Sequence, residues 1–127
     1  MSDLAAAHQE ALERGELTFQ RCVACAHAWL PPRERCPRCL ADGWVWETAG
    51  GRGRLVSWVV YHRAYHDSVA DRVPYKVSLI ELEEGPRLVA NMPEHDGPDA
   101  PPLSADMTVV LDLRRVDGAA VACFKAP

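Results

Sequence analysis

Cysteines are the residues of this 127-residue chain whose spacing points most directly to chemistry. Four of them, Cys22, Cys25, Cys36 and Cys39, form two C-x2-C pairs separated by ten residues. Two such pairs supply four thiolates, which close a tetrahedral zinc site, whereas a catalytic zinc keeps one position open for water or substrate. The spacing therefore predicts a structural Zn²⁺ in a zinc ribbon.

A redox-active C-x2-C pair is the alternative interpretation of the same cysteines. Such a motif opens a helix between two strands, whereas Pro31, Pro32 and Pro37 favour a hairpin here. Glycine often follows the second cysteine of a zinc knuckle because the backbone there has positive φ. This chain has Ala26 and Leu40 at those two positions, so its metal occupancy could be lower than usual.

Two other residues near these patterns are expected to have no chemical role. Cys123 lies in the segment AAVACF, whose small and apolar residues predict a strand, so we expect a buried and inert thiol. His27 follows the first knuckle, and with four thiols available we expect it on the surface rather than on the metal.

The composition is that of an ordinary globular protein, with 48% apolar and 25% charged residues. A net charge of −4 lacks the basic character of a dedicated nucleic-acid-binding protein. The length excludes a barrel enzyme or a full dinucleotide-binding fold. Because we find neither a long apolar run nor the pattern of a signal peptide, we expect a cytoplasmic protein.

The rest of the chain predicts one helix and five short strands. Ser2 can cap a helix through LAAAHQEALER, and Gly15 can end it. Such a helix is expected either to dock on the protein or a partner, or to fray. Runs rich in β-branched residues, bounded by turn residues, predict strands at 55–61, 75–82, 87–92, 108–113 and 119–124.

These elements predict a mainly β protein with three parts. Tight turns at Gly85-Pro86 and Asp117-Gly118 predict two hairpins within a five-stranded OB-fold barrel. The connection 93–107 contains four prolines and is expected to be a loop over the barrel end rather than a helix. We place the helix in residues 1–17, the zinc ribbon in 18–47 and the barrel in 48–127.

The middle third of the chain is locally basic, although the protein is acidic. Guanidinium groups suit phosphates and aromatic rings suit an adenine face, so this segment is a candidate site for coenzyme A or for an acidic partner, the alternative being an ordinary solvated surface. Two of its histidines are four residues apart but follow a strand, which gives no basis for catalysis by this chain alone. The candidate ligand or partner residues are Arg52, Arg54, His62, Arg63, Tyr65, His66 and Tyr75.

Several segments together resemble a family of acyl-CoA-associated proteins called domain of unknown function 35. They are GELTFQRCVAC, LPPRERCPRC, GRGRLVSWVVYHRAYH, PYKVSLIELEEGPRLVANM and LSADMTVVL, and the resemblance covers nearly the whole chain. It implies a rubredoxin-like zinc ribbon followed by an OB fold. It also implies a non-catalytic accessory subunit of a thiolase-fold enzyme that acts on acyl-CoA, such as a thiolase, an acyltransferase or a retro-aldolase.

The stretches VYHRAYH and VPYKVSLIEL are most similar to a subgroup that serves lipid-transfer-protein-like aldolases. This finer resemblance implies a role in degradation of steroid side chains and assembly as a heterotetramer. It also implies a coenzyme A thioester at a site shared between the two subunits.

Two other functions remain open from the sequence. Zinc ribbons and OB folds both occur in proteins that bind single-stranded nucleic acids, and Trp58 and Tyr61 could stack on bases. With a net charge of −4, such binding would depend on the basic segment 52–76. A thioesterase or redox protein acting alone would require Cys123 or His66.

Overall fold

The structure, a computed structural model, describes residues 3–63 and 73–127. Within these residues a single α-helix precedes eight strands, and a short 3-10 helix, Pro93–His95, follows the sixth strand. The helix is α1 (Asp3–Glu13), and the strands are β1 (Thr18–Cys22), β2 (Ala28–Trp29), β3 (Trp44–Thr48), β4 (Arg52–Tyr61), β5 (Tyr75–Leu82), β6 (Arg87–Asn91), β7 (Thr108–Val116) and β8 (Ala119–Lys125).

The first three strands form an antiparallel sheet in the order β2-β1-β3. On the central strand, Gln20 is completely buried, which requires its amide to be hydrogen-bonded. Its Nε2 donates to the carbonyl of Arg33 at 2.7 Å, and its Oε1 accepts from the N–H of Arg33 at 2.8 Å. The side chain thus replaces a peptide group and ties the segment after β2 to the sheet.

The last five strands form a closed barrel in the order β4-β5-β6-β8-β7. This confirms the predicted five-stranded OB fold and both predicted hairpins, β5 with β6 and β7 with β8. Alternate residues of each strand point inward, as the period of two requires. Together with two residues from α1 and the segment after it, they form the main core, which contains Leu12, Leu17, Leu55, Ile80, Leu82, Ala90, Met92, Val109, Ala120 and Phe124.

Strand β4 begins earlier than predicted, at Arg52 rather than at residue 55. The pairing of β4 with β5 already includes Gly53, which lies opposite Leu82. A Cβ at Gly53 would lie 2.5 Å from the carbonyl oxygen of Glu81, so only glycine lets the two backbones approach this closely. The glycine therefore marks a close contact within the sheet.

Helix α1 docks on the barrel, where Ala11 and Leu12 are buried. Two side chains of the helix bind the peptide groups of Ala120 on β8. Gln9 Nε2 donates to the carbonyl of Ala120, and the N–H of Ala120 donates to Glu13 Oε1, both at 2.9 Å. The helix ends as predicted before Gly15, which has a φ of 90°.

The barrel wall is incompletely paired between β6 and β8, and the docked helix lies beside this gap, which we call the seam. Strands β6 and β8, which the structure describes in full, run parallel and are paired only where Asn91 lies opposite Cys123. Beyond that pair, the backbone groups of β6 and β8 are not paired with each other. At Ala120 the side chains of Gln9 and Glu13 take the place of a neighbouring strand.

The structure also agrees with the predictions of an irregular 93–107 connection and of a buried Cys123. The 93–107 connection starts with the short 3-10 helix and is otherwise irregular, so no regular helix runs along it. The thiol of Cys123 is buried, with 2% of the residue exposed. None of the helices in the described parts of the chain has the length and apolar character needed to cross a membrane.

Docking of the helix should depend on pH through Glu13. The N–H of Ala120 and then the Arg115 guanidinium lower the pKa of its carboxyl. A pKa that folding lowers adds stability above the ordinary carboxyl range, and this is lost as pH falls through the folded value. We expect amide exchange in α1 to accelerate between pH 7 and about pH 3 in the wild type, after correction for intrinsic exchange.

The Glu13→Gln variant keeps an oxygen acceptor but cannot ionise, so this acceleration should be smaller in the variant. Hydrogen exchange measured by mass spectrometry tests the difference. Glu10→Gln, which changes an exposed carboxylate on the same helix, is the matched control and should behave like the wild type. Equal pH dependence in Glu13→Gln and the wild type would contradict the role given to this carboxylate.

Candidate functional site

The four ribbon cysteines converge on one point. Their Sγ atoms all lie within 4.8 Å of one another. The Sγ atoms of Cys22 and Cys39 are 3.6 Å apart, as are those of Cys25 and Cys36. A tetrahedral zinc site with Zn–S bonds of about 2.3 Å requires sulfurs about 3.8 Å apart. The donor set and its spacing therefore fit a zinc ion held by four thiolates.

Backbone groups in each knuckle point at the first sulfur of the pair. The N–H groups of Cys25 and Ala24 donate to Cys22 Sγ at 3.5 and 3.3 Å, and they lower the pKa of Cys22 to about 7. Although the N–H of Ala41 favours the thiolate of Cys39, thiol neighbours such as Cys22 raise the pKa of Cys39 to about 12. Four thiolates this close require a compensating cation.

The two knuckles repeat one backbone pattern. The N–H of Ala26 donates to the carbonyl of Cys22 at 3.0 Å, and that of Leu40 donates to the carbonyl of Cys36 at 2.9 Å. Ala26 and Leu40 have φ values of 65° and 66°, in the left-handed region that favours glycine. The knuckles therefore keep the expected geometry without glycine, at a conformational cost of about 1 kcal/mol per residue.

Replacing Leu40 by glycine should stabilise the ribbon. Leu40 is 68% exposed, so the substitution removes the left-handed strain and gives up little buried surface. We expect Leu40→Gly to raise the free energy of unfolding of the ribbon by about 0.5–1 kcal/mol, measured by urea denaturation with tryptophan fluorescence. The control is Ala24→Gly, in the other knuckle and outside the left-handed region, which should be neutral or destabilising. Destabilisation by both changes would contradict this interpretation.

A small aromatic cluster lies beside the four cysteines, and cysteine spacing alone does not predict it. Trp29 is buried with Cys22 and Cys36, and Trp44 packs against this cluster. The indole N–H of Trp44 donates to the carbonyl of Glu34 at 3.0 Å, which holds the loop between the knuckles. The available signal was the position of Trp29 and Trp44 within a few residues of the second cysteine of each pair.

His27 is half-buried and stacks on Trp29, with ring centroids 6.2 Å apart. Its backbone carbonyl accepts the N–H of Cys22 at 2.8 Å. Among the described residues, the ligand atoms that converge are those of the four cysteines, and His27 is not one of the group.

Two arginines of the basic segment, Arg52 and Arg54, are paired with carboxylates that are distant in sequence. Arg52 Nε lies 3.6 Å from Glu83 Oε1. Arg54 Nε lies 3.2 Å from Glu81 Oε1, and a second nitrogen of Arg54 binds Asp106. The positive charge expected from this segment is therefore largely compensated at these two arginines.

Three further candidates, His62, Arg63 and Tyr75, lie at the end of β4 and the start of β5. Tyr61 and Tyr75 face each other on β4 and β5, and their rings stack with centroids 5.1 Å apart. His62 and Arg63 follow β4 and are exposed. The other two candidates, Tyr65 and His66, lie outside the described residues. Binding of coenzyme A, nucleic acid or an acidic partner here stays a prediction.

Lys76 and Trp58, both in the region proposed to bind a polyanion, are also engaged in the fold. Lys76 Nζ donates to the carbonyl of His95, whose ring Nδ1 lies 3.0 Å from the carbonyl of Pro101. Trp58 packs against the barrel core instead of standing free on the surface. The contacts of Lys76 with His95 and of His95 with Pro101 anchor the 93–107 connection over the barrel.

The sequence matches known family descriptions across most of its length. Residues 9–45 match the "ChsH2, rubredoxin-like zinc ribbon domain" and residues 46–114 match the "ChsH2, C-terminal OB-fold domain". The chain belongs to the ChsH2 family of zinc-ribbon and OB-fold proteins. Both halves of the predicted architecture are thereby confirmed, and the family is the one the sequence resembles.

Two curated relatives extend this assignment. A "DUF35 domain-containing scaffold protein" of Methanothermobacter thermautotrophicus is 32% identical over 107 residues, which are 84% of this chain and 79% of that protein. A "Probable enoyl-CoA hydratase alpha subunit" of Thermomonospora curvata is 39% identical over 108 residues, which are 85% of this chain. The match spans 32% of that second protein, about a third of its length.

Solved structures show the same architecture. A chain of the "Ltp2-ChsH2(DUF35) aldolase" superposes with a TM-score of 0.83 and 33% identity, and the match covers 99% of this chain and 96% of that one. A DUF35 protein from Sulfolobus solfataricus superposes with a TM-score of 0.68 at 10% identity, covering 100% of this chain and 87% of that one, which shows the fold alone.

Proposed function

We propose that this chain is a non-catalytic accessory subunit of a thiolase-fold enzyme that acts on an acyl-CoA, in the manner of a retro-aldolase. The observation that carries the proposal is its similarity, over 99% of its length, to a chain of the Ltp2-ChsH2(DUF35) aldolase. A small domain that contributes structure to a larger enzyme needs no active site of its own. The naming of two curated relatives as scaffold proteins supports the same role.

The commitment of polar groups to the fold also supports this role. The ribbon thiols face one another, His95 lies against Pro101, and Arg54 binds Glu81 and Asp106. Each of these groups is held in place by contacts within the chain. A protein surface whose polar groups are already engaged within the chain suits binding and support of a partner rather than catalysis.

In the proposal the four cysteines hold a structural zinc ion. The ribbon core is small, built around Cys22, Trp29 and Cys36, so metal binding supplies folding free energy that apolar burial cannot. When bound, the ion would fix the two knuckles relative to β1, and through Gln20 and Arg33 the segment beside the barrel. We place the protein in the cytoplasm, where thiols stay reduced and available to zinc.

The finer parts of the proposal concern the substrate and the assembly. We infer a coenzyme A thioester bound at a site shared with the partner, in a heterotetramer, with a steroid side chain as the acyl group. His62 and Arg63 support a shared site, since both are exposed at the end of β4 where a cation could meet a phosphate. The other candidates for this site are Arg52, Arg54, Tyr65, His66 and Tyr75.

Co-expression tests the accessory role. We expect the chain to co-elute with a lipid-transfer-protein-like enzyme encoded in the same genome, and the complex to cleave a steroid side-chain acyl-CoA thioester that neither chain cleaves alone. Size-exclusion chromatography with light scattering gives the stoichiometry, and product analysis gives the activity. Separate elution with unchanged activity of the enzyme would sink the proposal.

Elemental analysis tests the metal. The freshly purified chain should contain one zinc ion, and Cys36→Ser should lose it and unfold the ribbon while the barrel strands persist, because the apparent binding free energy of structural zinc is about 10–16 kcal/mol. Cys123→Ser is the matched control, since that thiol lies in the barrel wall, and it should keep its zinc. Metal-free wild-type protein, or normal zinc in Cys36→Ser, would refute the assignment.

A further inference from the structure

We propose that the outer face of strands β4–β6, together with the groove beside it, receives an uncharged apolar surface of the partner subunit. This inference rests on the accessory role proposed above and names the surface that would carry it. It follows from strand register, from the open seam between β6 and β8, and from the pairing of the charges around the face.

Register places a row of apolar side chains on the outside of the barrel. Leu79 lies opposite Ser57 on one side and Val89 on the other, and Val59 lies opposite Val77 in the next row. Val77, Leu79 and Val89 alternate with the buried residues Ser78, Ile80 and Ala90, so they point outward, and the exposed Val59 is paired with Val77 on the same face. Val89 is 69% exposed and Val59 is 54% exposed, which leaves an apolar patch facing solvent.

A groove of about 510 Å³ continues this face past the edge of β6. It lies between helix α1, the segment after β2 and the diverging ends of β6 and β8. Leu79 and Val89 line it as well, so the groove and the outer face form one surface. Its other apolar walls include Leu12, Leu30, Pro31, Leu88 and Val121.

Charge around this surface is balanced within the chain. Glu81 accepts from Arg54 Nε at 3.2 Å through one oxygen and from Arg87 Nε at 2.8 Å through the other, and Asp106 supplies the second carboxylate, on Arg54. Among the described residues that line the groove, Arg87 is the one guanidinium, and this contact compensates it. The groove also contains His8, whose pKa is lowered by burial and which is therefore neutral near pH 7.

This charge pattern decides between possible occupants. A nucleic acid or the nucleotide part of coenzyme A requires unpaired cations for its phosphates, and the described part of this surface pairs its arginines with carboxylates. An uncharged apolar protein surface needs shape and buried area, with few charges at the centre of the interface. The exposed valines with an adjoining groove match that requirement.

The test is a charge placed at the centre of the surface. Val89→Glu should keep the fold, because the side chain is exposed, but should weaken binding of the thiolase-fold partner by at least about tenfold in Kd, since a carboxylate would be buried in an apolar contact where Arg87 is already paired with Glu81. Val45→Glu is the matched control, since Val45 is 47% exposed on β3, in the ribbon sheet. Circular dichroism and zinc content check both variants, and calorimetric titration measures Kd.

The outcomes separate this inference from the accessory role. If the wild type binds the partner and only Val89→Glu is weakened, the surface is assigned correctly. If Val89→Glu binds as well as the wild type, or Val45→Glu is weakened equally, the surface assignment fails while the accessory role stands. If the wild type does not bind, the accessory role itself fails.

A second experiment tests whether the groove binds an acyl chain instead of a protein. The isolated chain is titrated with a fluorescent long-chain acyl-CoA. If the groove receives a protein, Val89→Glu should leave the binding of this acyl-CoA unchanged from that of the wild type. Binding that is lost in Val89→Glu and kept in Val45→Glu would make the groove an acyl site and overturn the assignment to a protein partner.

Discussion

The barrel closes through one parallel pairing, between Asn91 of β6 and Cys123 of β8, both described in the structure. Parallel strands joined so briefly leave backbone groups that need other partners. Helix α1 supplies them through Gln9 and Glu13, and in doing so it brings Leu12 into the core. The same short pairing leaves the space that becomes the apolar groove. The position of the helix, the wall of the barrel and the shape of its surface are therefore consequences of a single incomplete seam.

The ribbon connects to that seam through backbone and core contacts. The N–H of Ala49 donates to the carbonyl of Leu17 at 2.8 Å, and Leu17 is buried in the barrel core. On the other side of the sheet, Gln20 holds Arg33 and so positions Pro31 against the groove. A metal that orders the knuckles thus also orders one wall of the surface next to the barrel.

Much of this architecture could be predicted from local sequence. Cysteine spacing indicated the ribbon, and β-branched runs between turn residues indicated the five barrel strands. Each of these signals is carried by residues that are close together in the sequence. The early start of β4 could not be predicted, since Gly53 is explained by its approach to Glu81 from another strand. For the same reason the basic segment looked freely charged: Arg54 meets Glu81 and Asp106 only after folding. Ala26 and Leu40 show that a conformation can persist where its preferred residue is missing.

The compensated arginines also bear on how fast a complex could form. Long-range attraction between oppositely charged surfaces raises association rates far above the values of about 10⁵–10⁶ M⁻¹s⁻¹ found without it. Because Glu81 and Asp106 together balance Arg54 and Arg87, the face beside these residues projects little field into solution. Encounters through this face would be slow and nearly independent of ionic strength. For the proposed complex, synthesis of the two chains close together in the cell would then matter more for assembly than attraction between the finished chains.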